Sequence, residues 1–144
     1  MGALLCHIAS PTRQHYLGEI YYASIPGTEG SFGVLASHQT SVVLNAAQGI
    51  VTIWLNEDGS SKEEFLVMEG LTKVFNNTVR ILGRFCKNIK AINRDELEEK
   101  IPDLESKIET YKLREDEMSA ILLETSQEHL AWYQYQLDYL DSHR

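Results

Sequence analysis

Ile92-Asn93-Arg94-Asp95-Glu96-Leu97-Glu98-Glu99-Lys100-Ile101 reads INRDELEEKI, and the grammar of the chain changes inside it. Asn93 followed three residues later by Glu96 has the form of a capping box, an asparagine opening a helix. Downstream, Leu97, Ile101, Leu104, Ile108 and Tyr111 recur at helical spacing and mark one face. A second stripe, Leu123, Ser126, Leu130, Tyr133, Leu137 and Leu140, runs one residue out of phase with the first. Arg114-Glu115-Asp116-Glu117 between them holds no strong apolar residue, so the tract reads as two antiparallel helices joined by a turn. One long helix with a broad apolar face is the alternative. Pro102 sits either in the first turn of a restarted helix or at a kink in the first one. Helices of this length need a surface for their stripes. They can pack on each other, pack on the rest of the chain, or be released to bind elsewhere.

Upstream of Asn93 the pattern is different. All nine glycines lie at or before Gly83. Short runs with alternating or β-branched residues cover 19–25, 50–55, 64–68, 72–75 and 78–82. Between them lie the turn candidates Pro26-Gly27, Asn56-Glu57-Asp58-Gly59 and Asn76-Asn77, whose Asn, Asp and Gly tolerate positive φ. Many short strands with such turns predict an antiparallel sandwich or barrel.

Charge divides the chain at the same place. The 144 residues carry a formal net charge of −8. Residues 1–92 hold seven bases against seven acids, and residues 93–144 hold six against fourteen. The whole excess is therefore in the helical tract, which argues against a nucleic-acid partner, since phosphate neutralisation needs a basic surface. No apolar run is long enough to span a bilayer. No basic segment precedes an apolar one at the N-terminus, so no secretory signal is expected. Cys6 and Cys86 form no CxxC and read as reduced, buried, small apolar side chains of a cytosolic protein.

Few residues suggest chemistry. His7, His15, His38, His129 and His143 are scattered without HxxxH spacing, so no metal site is expected. No GxSxG occurs. Gly27, Gly30 and Gly33 fit neither a P-loop nor GxGxxG, so they read as a sharp turn into a strand, with Phe32 and Leu35 in the core and His38 in a loop. An enzyme built on His38 would need a second titratable group beside it, and none stands out. In the second helix Trp132, Tyr135 and Tyr139 fall off the apolar stripe, which leaves them for a contact surface.

Two motifs in order resemble one family. Gly27, Gly30, Phe32, Gly33, Val34, Leu35 and His38 match the family's Gly-x-x-Gly-x-Phe/Leu-Gly-Val/Ile-Leu-Pro-Gly-His, and Gly49, Val51 and Ile53 match its Gly-x-Val/Ile-x-Ile. Gly70, Leu71, Val74, Asn77, Val79, Ile81 and Leu82 echo a later Gly-Gly-Phe-x-x-Val-x-x-Asn-x-Val-x-Ile-Leu. On these residues the chain resembles the epsilon subunit of the bacterial F-type ATP synthase, well over residues 4–92 and in outline beyond. The resemblance implies an α+β fold: an N-terminal antiparallel β-sandwich of about ten strands over residues 1–90, then a C-terminal antiparallel two-helix hairpin over 91–144.

It also implies a role. Such a subunit is a non-catalytic part of the central stalk, joining the gamma subunit to the c subunits of the membrane rotor ring and coupling proton-driven rotation to ATP synthesis. It lies peripherally on the cytoplasmic face of the plasma membrane and uses no cofactor. Glu29, Ser31, His38, Gln39 and Ser41 are the implied contacts with gamma and ring. The hairpin, through Trp132, Tyr135 and Tyr139, would meet alpha and beta subunits and regulate ATP hydrolysis.

The chain departs from the family at three places. Ala36-Ser37 replaces the Pro-Gly before the histidine, which implies a less stiff loop. At the hairpin entry, Asn93, Glu96 and Leu97 stand where ATP-binding members have Asp, Arg and Ala. A glutamate in place of a phosphate-facing arginine repels ATP, so no tight ATP site is expected. Residues 115–144 hold Arg144 as their single base against seven acids. Inhibition that relies on basic residues meeting an acidic surface is therefore expected to be weak. The rival reading is a free-standing β-sandwich adaptor that uses the hairpin for dimerisation or scaffolding.

Overall fold

A computed structural model describes residues 3–36 and 40–143, and the chain divides into two compact units, Met1–Ala91 and Ile92–Arg144. The seam follows a 3-10 turn at Ile89–Ala91, one residue past the boundary read from sequence.

The first unit holds ten strands: β1 (Leu4–Ser10), β2 (Arg13–Ile20), β3 (Tyr22–Gly27), β4 (Gly30–Leu35), β5 (Ser41–Leu44), β6 (Gly49–Trp54), β7 (Lys62–Met68), β8 (Leu71–Phe75), β9 (Thr78–Leu82) and β10 (Phe85–Asn88). One sheet runs β2-β1-β9-β8-β5 and the other β10-β7-β6-β3-β4, so the unit is a sandwich. Neighbouring strands pair antiparallel except β1 and β9, which run parallel. Turn signals in a sequence report pairing between consecutive strands, so this long-range parallel pair left no local trace.

Alternation builds the core. Leu4, Cys6 and Ile8 of β1, Ala23 and Ile25 of β3, Val51 and Ile53 of β6, and Val79 and Ile81 of β9 point inward and are buried. Each branched aliphatic side chain removed from water in this way contributes about 1.5–3 kcal/mol. Strand β7 departs from the alternation and is buried continuously from Phe65 to Met68. The Asn76-Asn77 turn takes φ of 46° and 54°, the paired left-handed geometry that closes a two-residue hairpin between β8 and β9. Cys6 and Cys86 are free and buried, and burial pushes both thiols up to about 12, which leaves them inert at neutral pH.

The second unit is two helices, α1 (Arg94–Lys112) and α2 (Glu117–Ser142). Asn93 caps α1 by accepting from the Glu96 backbone N–H at 3.2 Å. Asp116 caps α2, accepting from the Ser119 N–H at 2.9 Å and its hydroxyl at 2.8 Å. These bonds hold the Asp116 carboxyl below its usual range. Helix α1 continues through Pro102 without restarting. Leu97, Ile101 and Ile108 of the first stripe are buried.

The second stripe needs correction. Its members are half-buried, while Ser119, Trp132 and Gln136 are the buried residues of α2. From Glu128 to Leu140 only Ala131, Gln134 and Asp138 are exposed. Partial burial in this half of the helix is spread over most positions and not confined to one stripe, so a search for one stripe misplaces its centre. The uncharged run Leu130 to Leu137 was the available signal.

Candidate docking site

The turn between β3 and β4 is laced to the end of β5 in the opposite sheet. Thr28 N–H donates to the Leu44 carbonyl at 3.1 Å, and Ala46 N–H donates to the Pro26 carbonyl at 2.8 Å. Gly27 bridges Asn45 directly. Asn45 anchors this junction and is 5% exposed. Its amide donates to the carbonyls of Glu69 (2.9 Å) and Leu82 (3.2 Å), and its side-chain oxygen accepts from the Thr72 hydroxyl (2.7 Å). A buried amide thus has both donor directions and its acceptor engaged, as burial demands.

Above the junction lies an open groove of about 450 Å³, lined by Thr28, Glu29, Gly30, Ser31, Phe32, Val42, Val43 and Leu44. Gly30 takes φ of +119°, which favours glycine and sharpens the tip. Glu29 and Ser31 are exposed on that tip. Val42 and Leu44 are 61% and 62% exposed on β5, which is an edge strand. Exposed aliphatics on an edge strand beside one carboxylate make this groove the candidate contact surface of the unit.

Of the contacts expected from sequence, Glu29 and Ser31 line this groove. Ser41 starts β5 opposite Val74 and does not. His38 and Gln39 lie outside the described residues. Val42 and Leu44 escaped the sequence reading because Ser-Val-Val-Leu is too short to show which of its alternating faces is inward. Leu35 also needs correction: Val34 is fully buried and Phe32 packs on the core, but Leu35 is 40% exposed. Inward positions alternate along β4, so Leu35 turns outward. In the hairpin, Tyr135 and Tyr139 are half-buried, whereas Trp132 is 6% exposed. Trp132 therefore does not belong to the exposed surface of this conformation. Among the described residues no group of His, Cys, Asp or Glu is arranged to hold a metal ion.

A ten-stranded sandwich with a mixed polar and apolar groove at its edge, followed by a separate helical hairpin, defines the class of this chain. The family model described as ATP synthase, Delta/Epsilon chain, beta-sandwich domain matches residues 3–87, and the chain belongs to that family. Among its relatives, the ATP synthase epsilon chain 1 of Nitrobacter hamburgensis is 30% identical over 101 residues, covering 70% of this chain and 72% of the relative. The epsilon chain of Rickettsia typhi is 24% identical, covering 62% and 81%. Two solved structures share the fold. One is a Euglena gracilis mitochondrial ATP synthase OSCP/F1/c-ring assembly, with TM-score 0.55, 21% identity and coverage of 88% of this chain and 76% of that one. The other is a Tetrahymena thermophila mitochondrial ATP synthase central stalk and c-ring, with TM-score 0.51, 14% identity and coverage of 91% and 93%.

Proposed function

We propose that this chain is a non-catalytic rotor subunit in the central stalk of a proton-translocating F-type ATP synthase. The sandwich, residues 1–90, joins the gamma subunit to the c subunits of the ring and so couples rotation to ATP synthesis. The observation that carries this is the groove, in which Glu29 and Ser31 stand beside the exposed Val42 and Leu44 of an edge strand. His38, Gln39 and Ser41 complete the proposed contact region. No helix among the described residues is long and apolar enough to cross a membrane. A peripheral position on the cytoplasmic face of the plasma membrane, held through partner subunits, fits that.

The hairpin, residues 91–144, is the proposed regulatory element. Leu113, Met118 and Ile121 are 87%, 62% and 59% exposed around its bend and offer apolar contacts to alpha and beta subunits. Tyr135 and Tyr139, half-buried and far along α2 from the bend, form a second contact surface, and Trp132 joins it only if the hairpin opens. The acidic excess of this unit keeps its inhibition of ATP hydrolysis weak. No tight nucleotide site is proposed, because Glu96 occupies the phosphate-facing position and is paired with Lys100.

The docking reading is tested by capture of the gamma subunit. Val42→Glu with Leu44→Glu changes two exposed side chains and leaves the core intact. It is expected to weaken capture about tenfold or more, the effect of losing central apolar contacts. Undiminished capture by a folded variant would remove this groove from the gamma interface.

A further inference from the structure

A second groove, of about 520 Å³, lies at the other end of β3 from the docking site. Its walls are aromatic. The register sets Leu35, Tyr22 and Trp54 side by side across β4, β3 and β6, on the face turned away from the core. The Tyr22 and Trp54 rings stand 5.0 Å apart, centroid to centroid, at 48°. Tyr21 lines the same groove and is fixed through its backbone, its N–H donating to the Trp54 carbonyl at 2.9 Å. Tyr22 can lie along the sheet because Gly33 is beneath it. A Cβ there would come within 2.2 Å of the tyrosine hydroxyl.

The rim is anionic and preorganised. The β6–β7 turn places Glu57 and Asp58 on the groove. Asn56 holds this turn at both ends: its side-chain oxygen accepts from the Ser61 N–H at 3.1 Å, and its amide donates to the Ser60 hydroxyl at 2.7 Å. Asp58 accepts from the Ser60 N–H at 2.9 Å, which keeps its carboxyl below the usual range and therefore ionised. No base is among the lining residues. The nearest in register, Lys62 opposite Trp54, is paired with Glu64 at 3.8 Å.

We propose that this groove is a receptor for an arginine side chain presented by a neighbouring protein chain. Aromatic faces attract a cation through their quadrupole, and two carboxylates select against an anion. A guanidinium satisfies both walls at once, stacking flat on Trp54 or Tyr22 while its fork of N–H donors reaches Glu57. A compact ammonium offers no such plane. The site is separate from the Val42–Leu44 groove and stands without it.

The test is a titration of the full-length chain followed by the indole N–H resonance of Trp54, assigned with Trp54→Phe. Nα-acetylarginine amide at low ionic strength is expected to move this resonance saturably. Nα-acetylcitrulline amide, its uncharged isostere, is expected to leave it unsaturated. Glu57→Gln with Asp58→Asn is expected to weaken arginine binding about tenfold, the order expected for losing the charge partners of a cation–π contact. Asp58→Asn keeps an oxygen for the Ser60 N–H, so the turn survives. Absence of a saturable shift, equal response to citrulline, an undiminished double variant, or tighter binding of tetramethylammonium than of arginine would each overturn the assignment.

Discussion

Asn45 shows how one polar side chain can hold distant segments of a sandwich together at a single junction. It serves Glu69, Leu82 and Thr72 from a position 5% exposed, beside the turn that carries Glu29. Asn45→Ala leaves the buried Thr72 hydroxyl and the part-buried Glu69 and Leu82 carbonyls without this partner, and an orphaned buried group costs about 1–3 kcal/mol. The variant is expected to lose about 2–4 kcal/mol of sandwich stability, read by urea denaturation, because some of these groups will recruit water. A loss below the error of that measurement would mean the junction is held by the backbone bonds alone. The sequence did not disclose this role: an asparagine before Ala46-Ala47-Gln48-Gly49 looks like any turn residue. Asn76 and Asn77 were legible because their task is local, a pair of left-handed φ values, whereas the partners of Asn45 lie 24 to 37 residues away.

At the scale of elements, α1 is a helix with a flaw. Its cap, its acidic first turn at Asp95 and Glu96 and its last-turn Lys112 agree with the helix dipole. Its i,i+4 pairs Lys100–Glu96 and Lys107–Asp103 add a few tenths of a kcal/mol each. Pro102 lies well inside, offers no N–H to the Glu98 carbonyl, and is exposed. Pro102→Ala restores the donor and removes no core contact. It is expected to stabilise the helical unit by about 1–3 kcal/mol, seen as a higher midpoint of thermal helix loss by circular dichroism. An unchanged midpoint would show that the proline is accommodated without cost. The spacing of Leu97, Ile101 and Ile108 made α1 easy to read. Helix α2 was harder, because most positions of its C-terminal half are half-buried and periodicity speaks only of faces that differ.

For the whole molecule, the two units differ in what maintains them. The sandwich has a core drawn entirely from residues 4–86, while the hairpin carries the charge excess. Deleting everything after Asn93 is therefore expected to leave a cooperatively folded sandwich that still enters the assembled synthase. ATP hydrolysis by that assembly is expected to rise only slightly, in keeping with an acidic hairpin. A large rise would contradict the weak inhibition inferred from charge, and an unfolded fragment would contradict the independence of the core.

The parallel pairing of β1 with β9 also constrains the order of events during synthesis. β1 lies between β2 and β9 in its sheet, so its second edge stays unfilled until Thr78–Leu82 have emerged from the ribosome. Until then Leu4, Cys6 and Ile8 have half a sheet to lie in. Pairings between segments this distant close slowly, after the local hairpins are in place. The first strand made is thus among the last to be enclosed, and a nascent chain stalled before Thr78 would expose it to chaperones and to other copies of itself.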